Sequence, residues 1–254
     1  MCYLSKFSYY SKINKYNSIH GYKLIDPLFI LGCGHSGTSI LLSILANSNI
    51  FYSINYESYI FYKNELARSK LLRLWVHNAY SENKWCILEK TPSHCLVLPK
   101  ILKVFKNPKI IAITRDGRDV ALSIKNRTGD FEYGMNRWIN DNNNIRKYYH
   151  LKNIYILKYE DFVSDPLCVI NSISRFINLN LNPNILNNTK FPKKDFYKSN
   201  ANNSEHENKR NAQINQDLHN YSGIWKNGLT KQEKDRFHNE TSAIDLMEFF
   251  NYNL

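Results

Sequence analysis

The chain has 254 residues and carries 34 Lys and Arg against 22 Asp and Glu, a formal net charge of +12 that suits a polyanionic ligand: a nucleotide, a nucleic acid or a membrane surface. That length accommodates one large α/β domain with a buried core, no linker divides it, and residues 1–254 are taken as a single unit. Five scattered cysteines (Cys2, Cys33, Cys86, Cys95, Cys168) without C-x-x-C spacing suggest neither a zinc site nor a disulfide framework, so a reducing, cytoplasmic setting is expected.

Residues 1–26 read as a basic arm rich in Tyr, Ser and Lys, with no apolar run long enough for a signal peptide or a membrane span. Strand, glycine loop and apolar helix follow in succession over 28–45 (LFILGCGHSGTSILLSIL). Gly32, Gly34 and Gly37 let the backbone turn sharply toward an anion, and Ser36, Thr38 and Ser39 place hydroxyls and N–H groups at the start of a helix over 38–46. A short strand is predicted at 50–54. Over 58–80 the residues Phe61, Leu66, Leu71, Leu74 and Trp75 recur at helical spacing, with Lys63, Arg68, Lys70 and Arg73 on other faces.

A strand at 85–88 runs into Glu89-Lys90-Thr91-Pro92, and a helix follows over 94–105. The apolar run 110–114 suits a strand buried on both faces; it opens into Arg115-Asp116-Gly117-Arg118-Asp119 and a short helix over 120–125. A helix over 133–149, a strand over 154–158 and a helix from Pro166 to 176 come next. Residues 178–217 are Asn-rich and weakly periodic, a long surface or substrate-facing segment. Thr230-Lys231-Gln232-Glu233 is a capping-box signal for one last helix. The alternation predicts a P-loop-like, three-layer α/β/α fold around a mostly parallel sheet, with ligands at the strands' carboxyl ends.

Four polar clusters fall at those ends: the Gly32 loop, Glu89 to Pro92, Arg115 to Asp119, and Tyr159-Glu160-Asp161. Two strand-to-helix turns with different anion chemistry predict a ligand with two separated phosphates, one held by loop amides and hydroxyls, the other by Arg115 and a hydroxyl such as Ser123.

These residues resemble the sulfotransferases that use 3′-phosphoadenosine 5′-phosphosulfate (PAPS), in the bacterial and tyrosylprotein branch, over residues 27–232. Gly32-Cys33-Gly34-His35-Ser36-Gly37-Thr38-Ser39 is similar to that family's 5′-phosphosulfate loop, and the segment from Arg115 to Ser123, with its Arg-to-Ser spacing of eight, to its 3′-phosphate motif. The resemblance implies that Arg127 reaches the 3′-phosphate, that Tyr159 lies beside the nucleotide, and that the Gly223-Ile224-Trp225-Lys226-Asn227 segment, with Trp225, closes over it. Two departures stand out: Leu218-His219-Asn220 replaces an Arg-Lys-Gly, and His35 occupies a loop position usually held by Lys or Arg.

The implied reaction is in-line transfer of a sulfuryl group from PAPS to a hydroxyl or amine acceptor, without a metal. Lys90 matches a catalytic lysine and Glu57 a catalytic glutamate base; His94 competes as base, His35 contacts the transferring group, and Ser222 contacts the leaving phosphate. Two other classes stay open. A P-loop phosphotransferase is disfavoured by Thr38 standing where its lysine belongs, and a nucleic-acid module by arginines confined to a strand-end motif.

Overall fold

Five short runs of Leu, Ile and aromatic residues, too apolar for an exposed face, become the strands of one sheet in a computed structural model that describes residues 3–20, 24–186 and 220–254. They are β1 (Leu28–Gly32), β2 (Phe51–Ser53), β3 (Cys86–Lys90), β4 (Lys109–Thr114) and β5 (Ile154–Lys158). All pair in parallel in the order β2-β3-β1-β4-β5. The chain leaves β1 toward one edge and returns on its other side as β4, so the topological switch point lies at the carboxyl end of β1.

The helices are α1 (Tyr3–His20), α2 (Thr38–Leu45), α3 (Glu65–Ser81), α4 (Leu98–Val104), α5 (Gly117–Thr128), α6 (Phe131–Arg146), α7 (Tyr159–Ser164), α8 (Pro166–Ile177), α9 (Trp225–Gly228), α10 (Lys231–His238) and α11 (Thr241–Phe249). Two apolar layers sandwich the sheet. One joins α2 and α8 to Leu28, Ile30, Leu88, Ile111 and Ile113, and the other joins α1, α3, α4, α6 and α11 to Phe29, Leu31, Ile87 and Ala112. This is the three-layer α/β/α architecture that the sequence predicts.

Several boundaries differ from the sequence expectation. The basic arm is a helix that packs on α3 through buried Tyr9 and Ile13. Its Tyr10 hydroxyl donates to Asp26 at 2.6 Å, and the same carboxylate accepts from Asn107 N at 2.6 Å, so one side chain joins α1 to the leads into β1 and β4. The helix expected over 58–80 begins only at Glu65, because Asn64 caps it and residues 60–62 form a 3-10 turn. Its buried face is Leu72, Trp75, Val76 and Ala79; Leu66 and Leu74 are exposed, and Arg68 is buried.

β3 runs two residues past the expected end, carrying Glu89 and Lys90 within the strand. The helix expected over 94–105 divides into a 3-10 turn, Pro92–Val97, and α4, with Pro99 in the first turn of the second piece. α5 is twice the expected length because the Asp116 carboxylate caps its first turn. α6 starts at Phe131, capped by Asp130, and ends at Arg146; its asparagines are tolerated, Asn142 donating to Trp138 O at 2.8 Å. The single terminal helix is two, α10 with the predicted Thr230 capping box and α11. Of the Asn-rich segment, residues 178–186 are described and bury Leu181 and Ile185, whereas 187–219 lie outside the described residues.

Gly32 sets the tightest backbone approach beneath the switch point. Its φ is 150°, and a Cβ there would stand 2.3 Å from Ile113 O. Gly32→Ala is expected to cost several kcal/mol, on the order of 3, through strain and displacement of a central strand, read as a lowered urea midpoint.

Candidate active site

β1 delivers the glycine loop to the switch point. His35 at φ 71° and Gly37 at φ 90° place two residues of this loop in the left-handed region. Gly37 is also the N-cap of α2, where no side chain caps the helix, so the first N–H groups of α2 face the loop without a side-chain acceptor. Ser36 Oγ is buried without a hydrogen-bond partner among the described residues, an orphan that fits an anionic ligand. Thr38 is buried and Ser39 half-buried in the first turn of the helix. A Cβ on Gly37 would stand 2.7 Å from the Tyr159 ring, so the loop packs directly on the start of α7.

The second anion motif meets the first. Arg115 leaves β4 buried, donates from Nη1 to His35 O at 3.1 Å and from Nη2 to Tyr221 O at 2.6 Å, and lies 4.5 Å over the Tyr159 ring. Its Nε is buried without a partner among the described residues. One helical turn beyond the Asp119 region, Ser123 Oγ lies 2.8 Å from His35 Nδ1. Arg127, exposed in the last turn of α5, follows Ser123 by one turn on the same helical side.

Asp119 is the residue whose role the sequence did not disclose. Its carboxylate accepts from Gly223 N at 2.7 Å and Trp225 N at 2.9 Å, which seats the late aromatic segment on α5. Burial raises its pKa, against the lowering effect of those two donors and of Arg115. Trp225 is half-buried with the Arg118 guanidinium 4.0 Å over its ring, and Ser222 Oγ is buried without a partner among the described residues. Arg118 is fixed in turn by a two-pronged pairing with Asp116 at 3.0 and 2.7 Å.

Glu89 and Lys90 are successive residues of β3 and so project to opposite faces. Lys90, fully buried, donates to Glu57 Oε1 at 2.8 Å, and Tyr59 OH donates to Glu57 Oε2 at 2.7 Å. Glu89 accepts from Ser58 and Thr91, both at 2.6 Å, and lies 3.1 Å from His94 Nδ1. His94 is fully buried, edge-on to Phe61 and stacked with Tyr62. The structure thus brings Glu57 to Lys90 and places His94 with Glu89, off the lysine's face of the strand. His35 turns toward Ser123 of α5.

A further side chain reaches the loop without any sequence signal. Arg137 of α6 covers Gly34: a Cβ there would stand 2.9 Å from Nη2. Among the described residues no group of three or more His, Cys, Asp or Glu side chains stands in position to hold a metal ion, and no helix is long and apolar enough to cross a membrane.

The chain matches the family model described as sulfotransferase domain over residues 26–244. Among solved structures it is similar to mouse sulfotransferase SULT7A1 complexed with PAP, at 16% identity and a TM-score of 0.59, covering 92% of each chain. It is also similar to the sulfotransferase domain of the Synechococcus PCC 7002 olefin synthase, at 17% identity and a TM-score of 0.56, covering 92% of this chain and 97% of that one. No curated protein matches the chain.

Burial alone would raise the Glu89 carboxyl, but the charge of His94 and the hydrogen bonds from His94, Ser58 and Thr91 hold it below the ordinary value of 4.5. A carboxylate depressed on folding contributes stability above its unfolded pKa and loses it as pH falls through the folded one. Glu89→Gln is therefore expected to destabilise by about 2–3 kcal/mol at neutral pH, the deficit against wild type narrowing as acid takes the pH down through the lowered folded pKa. Paired urea titrations at neutral and acid pH measure the gap.

Proposed function

Since the chain belongs to the sulfotransferase domain family, we propose that it moves a sulfuryl group from PAPS to a hydroxyl or amine acceptor, with both ends of the donor held across the switch point. The observation that carries the reading is the junction of the two anion motifs, where Arg115 binds the His35 carbonyl and the His35 ring meets Ser123.

The loop from Gly34 to Ser39 would hold the 5′-phosphosulfate through its N–H groups and the hydroxyls of Ser36, Thr38 and Ser39. Arg115, Ser123 and Arg127 would hold the 3′-phosphate, with Tyr159 and Trp225 flanking the nucleotide. Bound there, the donor supplies an activated sulfur: the acceptor atom bonds to it as its bond to the phosphate oxygen breaks, and the electron pair leaves on 3′,5′-adenosine bisphosphate (PAP). Glu57 takes the acceptor proton, and Tyr59 fixes the carboxylate's second oxygen. Lys90 stands beside that base at 2.8 Å, and with Ser222 it would stabilise the charge that develops on the leaving phosphate oxygen. Fixed donors aimed at developing charge act strongly in such a water-poor setting. The hydrogen bond from Lys90, at the end of β3, to Glu57 favours Glu57 over His94, whose Nδ1 is engaged by Glu89.

His35 is assigned to donor binding through Ser123 rather than to the moving group. The mechanism calls on no metal, since backbone N–H groups, Lys90 and Arg115 handle the anionic charge. A cytoplasmic location belongs to the same proposal, supported by the free thiols of Cys33, Cys86, Cys95 and Cys168.

Titration with PAP, with ATP plus magnesium, and with a random oligonucleotide tests the reading; PAP alone is expected to bind tightly. Arg115→Ala should weaken PAP roughly 10- to 100-fold through loss of charge-assisted hydrogen bonds, and Ser123→Ala less. Unchanged PAP affinity in both variants, or no PAP binding by wild type, defeats it. Separately, Glu57→Gln is expected to keep PAP affinity while sulfuryl transfer falls by about 10²- to 10⁴-fold, the usual contribution of a positioned base.

A further inference from the structure

The loop from Gly32 to Ser39 carries no Lys or Arg, and its imidazole turns toward Ser123 on the β4 side. From α6, which packs against both α5 and the 92–97 turn that follows β3, Arg137 lays its guanidinium over Gly34. A Cβ at that position would lie 2.9 Å from Nη2 and 3.3 Å from Cζ, so the approach depends on a residue without a side chain. Arg137 keeps 27% of its side chain exposed and stands 3.7 Å from Asp141 Oδ2, beyond hydrogen-bonding distance, with Tyr133 as a second partner. Burial works against its charge, but Cys33, Asp141 and Tyr133 more than offset that, so the group is a permanent cation against the loop.

We propose that Arg137 is the cation that engages the sulfuryl group during transfer, reaching it across Gly34. The inference rests on the sulfotransferase reading above. A planar guanidinium offers two parallel donors to two oxygens of one group, a geometry that an ammonium does not provide. It stands over the residue that opens the N–H cluster, a second cation beside the one that Arg115 brings from the end of β4. Asp141, buried with its pKa raised by that burial, holds the guanidinium in place through its i,i+4 position and acts as a positioning residue.

Orthovanadate, which takes up a five-coordinate geometry beside a bound phosphate, is the probe. Its affinity for the PAP complex is measured in wild type, Arg137→Met and Arg137→Lys, alongside PAP affinity and the slow hydrolysis of PAPS by water. Arg137→Met is expected to leave PAP affinity within about twofold, to weaken vanadate at least about tenfold and to slow hydrolysis in proportion, with Arg137→Lys recovering part of both. Should the single variant fold poorly because Asp141 loses its partner, Arg137→Met with Asp141→Asn removes both charges and is held to the same result. Bisphosphate binding with unchanged vanadate affinity, or no vanadate binding by the wild-type complex, sinks this inference alone. Failure of wild type to bind PAP at all removes the sulfotransferase reading together with it.

Discussion

Arg115 is the interaction on which the site depends. A buried guanidinium must spend its donors on fixed acceptors, and here they are main-chain carbonyls from two distant segments, His35 of the glycine loop and Tyr221 of the late aromatic segment. The Tyr159 ring supplies a third wall. One side chain therefore joins the ends of β1, β4 and β5 to a segment about a hundred residues downstream. Asp119, one turn further along α5, repeats the arrangement with opposite polarity by accepting the amides of Gly223 and Trp225. The cation binds one carbonyl of this segment, that of Tyr221, and the anion binds two of its amides.

Burial of ionisable groups around β3 follows the same logic on a smaller scale. Two successive strand residues, Glu89 and Lys90, would each be costly to bury alone. The pleat sends them to opposite faces, and each finds its own partner set: Ser58, Thr91 and His94 for the carboxylate, Glu57 for the ammonium. The segment 57–59 contributes to both, with Glu57 above and Ser58 below. A left-handed Tyr59 at φ 48° then reverses the chain so that its hydroxyl returns to Glu57.

The sheet was legible because its strands are continuous apolar runs, and the two anion motifs because glycines, hydroxyls and arginines sit at strand ends. Periodicity failed at Leu66 and Leu74, which repeat at helical spacing yet face solvent, since the buried face of α3 is Leu72, Trp75, Val76 and Ala79. Glu57 carries no local signal; what marks it is a lysine 33 residues later in sequence and 2.8 Å away in space. The direction of the His35 ring follows from a positive φ that a one-dimensional pattern does not encode. Arg137 was invisible for a related reason, because nothing in an amphipathic helix announces that it will lie over a glycine about a hundred residues earlier.

At the far end of the sheet, Asp26 holds the Tyr10 hydroxyl and the Asn107 amide, just ahead of β1 and β4. Parallel strands slip by whole residues, each step of about 3.3 Å, and a slip between these two would carry the glycine loop and the arginine motif apart by that distance. Pinned at the amino ends by one carboxylate and at the carboxyl ends by Arg115, β1 and β4 behave as a ruler of fixed length. The separation between the two anion sites is thus a property of strand register, held in part by Asp26 and Asn107, eight residues ahead of Gly34 and Arg115 respectively.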